Sequence, residues 1–192
     1  MEWIINNKVL AFEEDTHTYY YNGIKVQSVT QLLGRKFGGK YDNIPPKVLQ
    51  AAAEYGTKVH KAVECYVLGF DDGSDEVRNY KFLQNYYNFT NYRAEAPVVL
   101  TLGGKTYAGR LDLILDFNGE KAIADIKTTS TLDREYLGHQ LNLYRIGVEQ
   151  SYGIKASKLY GIHLRGTTRK LVEIPIKEEE WLLESLGLKE TV

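Results

Sequence analysis

A single cysteine in 192 residues removes two classes of protein at once. Cys65 alone excludes an internal disulfide framework, and it excludes any cluster held by four cysteines of one chain. Long apolar runs are missing too: no stretch of about 18 apolar residues occurs, so no transmembrane helix is expected. The opening MEWIINNKVLAFEED lacks a basic segment followed by an apolar one. No secretory signal is therefore expected, and a cytoplasmic location follows by default. Neither sign of charge prevails, since 24 Lys and Arg against 25 Asp and Glu give a net charge of −1. That balance does not advertise nucleic-acid binding, although a local basic patch can still contact phosphates. Repeats, low-complexity tracts and linkers are likewise absent. What remains, 43% hydrophobic and 26% charged, is an ordinary globular composition. One domain over 1–192 is the simplest reading, with 1–44 as an N-terminal hairpin and short helix and 45–192 as the core.

The most informative stretch is Tyr107 to Thr129, two strand-like runs around Asn118-Gly119. Both turn residues tolerate positive φ, which makes this pair the strongest short hairpin signal. A two-residue loop pairs Phe117 with Glu120, and counting outward sets Asp112 opposite Asp125 and Arg110 opposite Lys127. Directly opposed residues have Cβ atoms roughly 4.5–5.5 Å apart, where two carboxylates repel unless a cation lies between them. Leu111, Leu113, Leu115 and Phe117 are expected on the other face, leaving one side core and the other charged. This is the layout of a metal site with a lysine beside it.

The rest of the chain supplies the surroundings. Thr18–Tyr21 and Ile24–Gln27 read as strands about Asn22-Gly23, and Ser28-Val29-Thr30-Gln31 has capping-box spacing for a short helix ending near Gly34. In RKFGGKYDNIPP, the basic residues Arg35, Lys36 and Lys40 stand among Phe37 and Tyr41. That segment is either a solvated loop or a grip on a nucleic-acid backbone. Lys47 to about Leu68 forms a long helix, with His60 and Glu64 on one face and Gly56 where another backbone comes close. Asp75 to about Tyr92 forms another, whose stripe Val77, Tyr80, Phe82, Leu83, Tyr86, Tyr87 and Phe89 reads as core. A strand from Ala94 to Leu102 turns at Gly103-Gly104. A symmetric turn there places Glu95 opposite Asp112, and Pro97 suggests a sheet edge. After caps at Ser130, Thr131 and Asp133, a helix runs to about Tyr152, with Gln140 and Tyr144 on one face. Strands at Lys158–Leu164 and Lys170–Pro175 and a helix over Lys177–Leu186 complete the chain. His163 and His17 read as structural contacts.

Asp112, then Asp125-Ile126-Lys127, then Gln140-x-x-x-Tyr144 resembles the PD-(D/E)XK nuclease superfamily. Gly56-x-x-x-His60-x-x-x-Glu64 and Gly109-Arg110-Leu111-Asp112 are similar to motifs of its RecB-like branch. His17-x-Tyr19 and Gly23 through Ser28-Val29-Thr30 look like small phage-encoded exonucleases and the mitochondrial genome-maintenance exonuclease. Leu111 stands where the family name has proline, and the lone cysteine matches the members without an iron–sulfur cluster. The resemblance implies an α/β fold with a restriction-endonuclease-like core, a three-stranded antiparallel meander plus further strands flanked by helices. It implies Mg²⁺- or Mn²⁺-dependent hydrolysis of DNA, single- or double-stranded, with Asp112, Asp125, Lys127, Gln140 and Tyr144 at the chemistry. His60, Asp112, Asp125 and the Ile126 carbonyl would hold metal, while Arg35, Lys36, Lys40 and Arg110 would contact the nucleic acid. An exonuclease of phage or prophage replication and recombination, with partners from that machinery, is the favoured reading. Structure-directed endonuclease activity or a catalytically silent nucleic-acid-binding scaffold are the alternatives. A homo-oligomer would supply processivity, but the sequence carries no signal for one. Glu64 and Glu95 receive no assigned role.

Overall fold

Turn chemistry sets the strand registers in this computed structural model, which describes residues 1–39 and 42–189. Asn22-Gly23, Gly103-Gly104 and Asn118-Gly119 all take positive φ at both positions, the geometry of tight two-residue hairpins. Tyr21 accordingly pairs with Ile24, Leu102 with Lys105 and Phe117 with Glu120. In chain order the elements are β1 (Glu2–Ile5), β2 (Lys8–Glu13), β3 (Thr18–Tyr21), β4 (Ile24–Ser28), α1 (Val29–Phe37), α2 (Pro46–Val67) and α3 (Asp75–Tyr87). There follow β5 (Thr90–Leu102), β6 (Lys105–Phe117), β7 (Glu120–Lys127), α4 (Arg134–Tyr152), β8 (Lys158–Arg165), β9 (Thr168–Ile174) and α5 (Glu179–Ser185).

The strands form one mixed sheet in the order β1-β2-β3-β4-β6-β7-β8-β9, with β5 pairing β6. β5, β6 and β7 are the expected antiparallel meander, and among the described residues β5 pairs only β6, as Pro97 suggested. β7 and β8 run parallel, so a crossover must join them, and α4 provides it. The N-terminal meander attaches through a parallel contact of two pairs, Gln27 with Tyr107 and Ser28 with Ala108. Helices cover both faces. α1 and α4 pack over Ile114 and Ile123, while α2 and α3 bring Val59, Val63 and Tyr80 onto Leu113, Leu115 and Ala124. The fold is thus the expected mixed α/β class. Among the described residues no helix is long and apolar enough to cross a membrane.

Four local expectations change. Leu111 packs with the α4-side cluster, whereas Leu113 and Leu115 pack on the α2 side. β7 is buried continuously from Ala122 to Ile126, so neither face of the hairpin is a charged one. A strand covered on both faces loses polar alternation. α1 continues past Gly34 to Phe37 because Phe37 packs edge-on against Tyr136 and His139, and Lys36 Nζ donates to the Ser185 carbonyl at 3.1 Å. α3 stops at Tyr87, where Asn88 adopts left-handed geometry and caps on the Gln84 carbonyl. On α3, Val77, Tyr80 and Leu83 are buried, but Phe82, Tyr86 and Tyr87 face solvent, so that stripe is only half core.

The Ser28 capping box is complete: the Gln31 amide donates to Ser28 Oγ at 3.0 Å, and the Ser28 amide donates to Gln31 Oε1 at 3.0 Å. Ser28→Ala should lower unfolding free energy by about 1 kcal/mol, read from urea denaturation. An unchanged midpoint at constant slope would contradict the cap's contribution.

Candidate active site

The β6–β7 ladder ends at Leu113 and Ala124. Beyond that pair the Ile126 amide donates to Asp112 Oδ2 at 2.7 Å. A carboxylate thus takes the hydrogen bond at the point where the two strands part. β7 meanwhile keeps its parallel pairing with β8 as far as Lys127 and His163. Asp112 and Asp125 are therefore not ladder partners, and Arg110 does not face Lys127; the strands have separated before those positions. The β5 side keeps register instead. Ala94 pairs with Leu113 and Ala96 with Leu111, which brackets Glu95 and Asp112 as the Gly103-Gly104 turn implied. Glu95 has φ of +48°, uncommon for a residue with a Cβ. At this level both strands change face together: Ala94 and Leu113 belong to the α2 side, Ala96 and Leu111 to the α4 side. That shared reversal explains why simple alternation misplaced Leu111.

α2 brings His60 across this opening. Its Nδ1 lies 3.4 Å from Asp112 Oδ2, and its Nε2 lies 3.0 Å from the Ile126 carbonyl. His60, Glu95 and Asp112 each offer an atom within 4.8 Å of the others. Asp125, 2% exposed, stands beside them with Lys127 Nζ 2.5 Å from its Oδ2. The ammonium also donates to Gln140 Oε1 at 2.9 Å.

The electrostatics follow from crowding carboxylates in a buried place. Burial opposes protonation of His60, but Asp112 beside it outweighs that and lifts its pKa to about 9. Burial would raise Asp112, yet His60 and Lys127 hold it below the ordinary carboxylate range. Asp125, buried and facing the charge of Asp112, is pushed up to about 6, and Glu95, for the same two reasons, to about 7. Such a set is stabilised by added positive charge.

The donors fit a hard divalent cation: two carboxylates, a backbone carbonyl and an imidazole. His60 Nε2 and the Ile126 oxygen stand at hydrogen-bond distance, 3.0 Å, and both are atoms that would turn to a bound cation. Asp125 Oδ2 is a further carboxylate oxygen at the site, held at 2.5 Å by Lys127 Nζ.

Two glycines permit this assembly. A Cβ on Gly109 would lie 2.8 Å from Tyr144 Cε1, so Gly109 is where the tyrosine ring passes β6. A Cβ on Gly56 would lie 3.2 Å from Thr128 Oγ1; the close neighbour expected there is a side chain rather than backbone. Tyr144 is buried, and burial followed by the charges of Asp125 and Asp112 holds its phenol well above the usual range.

An open cleft of about 330 Å³ contains His60, Glu95, Arg110 and Asp112 and extends to His17, Tyr19, Ser28 and Thr30. His17 is thus more than the hairpin contact expected, although its ring does pack edge-on against Phe12. All four stand in the N-terminal motifs that carried the resemblance, which gave them no place in the fold; the two-pair contact of β4 with β6 brings them to the cleft. His163 is a structural contact as expected, with Nε2 2.7 Å from the Thr129 carbonyl. Arg110 Nε is held 2.6 Å from Glu95 Oε2. Glu64 pairs with Lys61 at 2.9 Å and stays outside the three-residue group. Arg35 and Lys36 lie in the last turn of α1, two turns from its cleft-facing start, with Lys36 tied to the Ser185 carbonyl. Lys40 and Tyr41 lie outside the described residues.

No family model matches the sequence, and no curated protein is similar to it at a significant level. Two solved structures are similar to the chain. A protein of Eubacterium rectale described as "Putative exonuclease" is 15% identical with a TM-score of 0.50, covering 85% of this chain and 76% of that one. The protein SSO0001 is 17% identical with a TM-score of 0.49, covering 84% of this chain and 73% of that one.

Gly109→Ala should destabilise the protein by roughly 1–3 kcal/mol, because backbone of β6 and a buried ring must separate. Thermal or urea unfolding checks it. Full stability with the Tyr144 ring unmoved would contradict the close approach.

Proposed function

We propose that this chain is a metal-dependent deoxyribonuclease of the PD-(D/E)XK superfamily, RecB-like and without an iron–sulfur cluster. The observation that carries the reading is the convergence, at one opened ladder end, of His60, Glu95 and Asp112 with the Asp125–Lys127 pair. A scaffold has no physical need for three carboxylates crowded into a partly buried cleft. The fold shared with the Eubacterium rectale protein supports the same reading.

His60, Asp112, Asp125 and the Ile126 carbonyl would hold Mg²⁺ or Mn²⁺, and Glu95 joins them from β5. When bound, the ion polarises a phosphoryl oxygen and lowers the pKa of bound water. Lys127 then acts from the rim, its ammonium fixed between Asp125 and Gln140. There it orients the attacking water or offsets charge building on the phosphoryl oxygens. Gln140 positions that lysine, and Tyr144, kept as a neutral phenol, supports the strand carrying Asp112. Arg110, clamped by Glu95 at the cleft wall, faces the substrate phosphates. The open cleft suits end-directed cutting, and replication or recombination of phage DNA is the setting in which this activity would serve.

End-labelled linear DNA incubated with Mn²⁺, Mg²⁺ or EDTA tests the reading. Wild type should degrade it only with metal, while Lys127→Ala and Asp112→Asn should lose at least about a hundredfold in rate. Binding without cleavage under every metal would defeat the enzyme, and cutting of covalently closed circles would defeat the exonuclease. Calorimetry gives a separate check: His60→Ala and Glu95→Gln should each weaken Mn²⁺ binding, and an unchanged titration removes that residue from the site.

A further inference from the structure

The chain has four histidines, and the ring nitrogens of three have polar partners. His60 meets Asp112 and the Ile126 carbonyl, His139 meets the Glu135 carbonyl and Ser185 Oγ, and His163 meets the Thr129 carbonyl. His17 is exposed, and among the described residues neither of its ring nitrogens has such a partner. The ring is nevertheless held in place. It packs edge-on against Phe12 with centroids 5.0 Å apart, and Phe12 packs in turn on Tyr19 at 4.6 Å. The His17 amide closes a turn by donating to the Glu14 carbonyl at 3.2 Å. Its φ of +51° is left-handed, a conformation that Gly and Asn take readily. An imidazole fixed in this way lines the same cleft as His60, Glu95 and Asp112. It stands outside the three-residue group that could hold a cation.

We propose that His17 is the general acid of phosphodiester cleavage, giving a proton to the leaving oxygen. The inference rests on the nuclease reading, in which Lys127 orients the attacking water. In an in-line displacement the attacking and leaving oxygens lie on opposite sides of phosphorus. Ala124 and Ile126 pack on the α2 side of the sheet, so Asp125 and Lys127 turn to the α4 side, where Lys127 meets Gln140. None of these three side chains lines the cleft. A phosphate held at Asp112 therefore expels its leaving oxygen away from Lys127 and into the cleft, where the N-terminal meander presents His17, Tyr19, Ser28 and Thr30. Of these four, an imidazole is the group that both carries and releases a proton near neutral pH. The balance closes without a further reactant. The water oxygen forms the new bond to phosphorus and gives up its proton to solvent. The bond from phosphorus to the leaving oxygen breaks, its electron pair stays on that oxygen, and the oxygen takes the imidazolium proton. The neutral imidazole then regains a proton from solvent.

The experiment is single-turnover cleavage by the full chain with Mn²⁺, wild type against His17→Asn, since Asn tolerates the left-handed backbone. The substrates are short oligothymidylates with ordinary links, or with sulfur in place of the 3′- or the 5′-bridging oxygen of each link. A thiolate leaves without needing a proton, because a thiol has a pKa of about 8.5. His17→Asn should lose roughly a hundredfold in rate on ordinary links and almost nothing on the links with sulfur in the leaving position. Added imidazole should restore cleavage of ordinary links by His17→Gly, which also keeps the comparison alive if His17→Asn fails to fold. Mn²⁺ affinity by calorimetry, and DNA affinity by anisotropy in EDTA, should both be unchanged. Equal losses on all three substrates, no loss on ordinary links, or a loss explained by weaker DNA or Mn²⁺ binding would overturn the general acid and leave the nuclease standing. A wild type that cleaves none of the three sinks the nuclease reading and the acid together, so the two failures are distinct.

Discussion

The structure turns on one hydrogen bond, from the Ile126 amide to Asp112 Oδ2. Had β6 and β7 continued their ladder, that amide would belong to a sheet and Asp112 would lie in a closed surface. Because a carboxylate takes it, the strands separate after Leu113 and Ala124, and a cleft opens inside an otherwise covered sheet. The same bond fixes the carboxylate's rotamer and helps to keep it ionised. The backbone carbonyl of the same residue, Ile126, faces His60. One peptide segment thereby aligns a carboxylate and an imidazole from two other elements.

Around that opening, each element contributes something the others lack. β5 and β6 reverse face together at Glu95 and Asp112, which brings a second carboxylate beside the first. α2 supplies the imidazole, and α4 supplies Gln140 to hold Lys127. The Lys127 ammonium stands against Asp125, and Asp112 raises the pKa of the His60 imidazole beside it. A metal held by His60 needs its ligating nitrogen free of a proton. The N-terminal meander then places hydroxyls and an imidazole on the far wall of the cleft.

Much of this was legible in the sequence, for local reasons. Asn118-Gly119 and Gly103-Gly104 specify their own turn geometry, so register could be counted outward from each, and Glu95 did fall beside Asp112. The capping box at Ser28 is equally local. What failed was extrapolation past a point where tertiary contacts take over. Counting cannot detect that Asp112 ends a ladder by capturing an amide, so the opposition of Asp112 with Asp125 did not survive. Period-two alternation missed the face reversal for Leu111, and aromatic character at Phe82, Tyr86 and Tyr87 was mistaken for burial. The cleft's far wall depends on two parallel pairs between segments some 80 residues apart, a contact with no short-range signature.

If the opened ladder end is a metal centre, a divalent cation must bind there and nowhere else in preference. Crystals grown with Mn²⁺ and measured at its absorption edge test this directly, because the anomalous signal locates the ion without reference to activity. One strong peak is expected in contact with Asp112 and His60, with Asp125 or Glu95 completing the protein ligands. A fully loaded crystal with no peak at that position, or with the peak elsewhere, would contradict it.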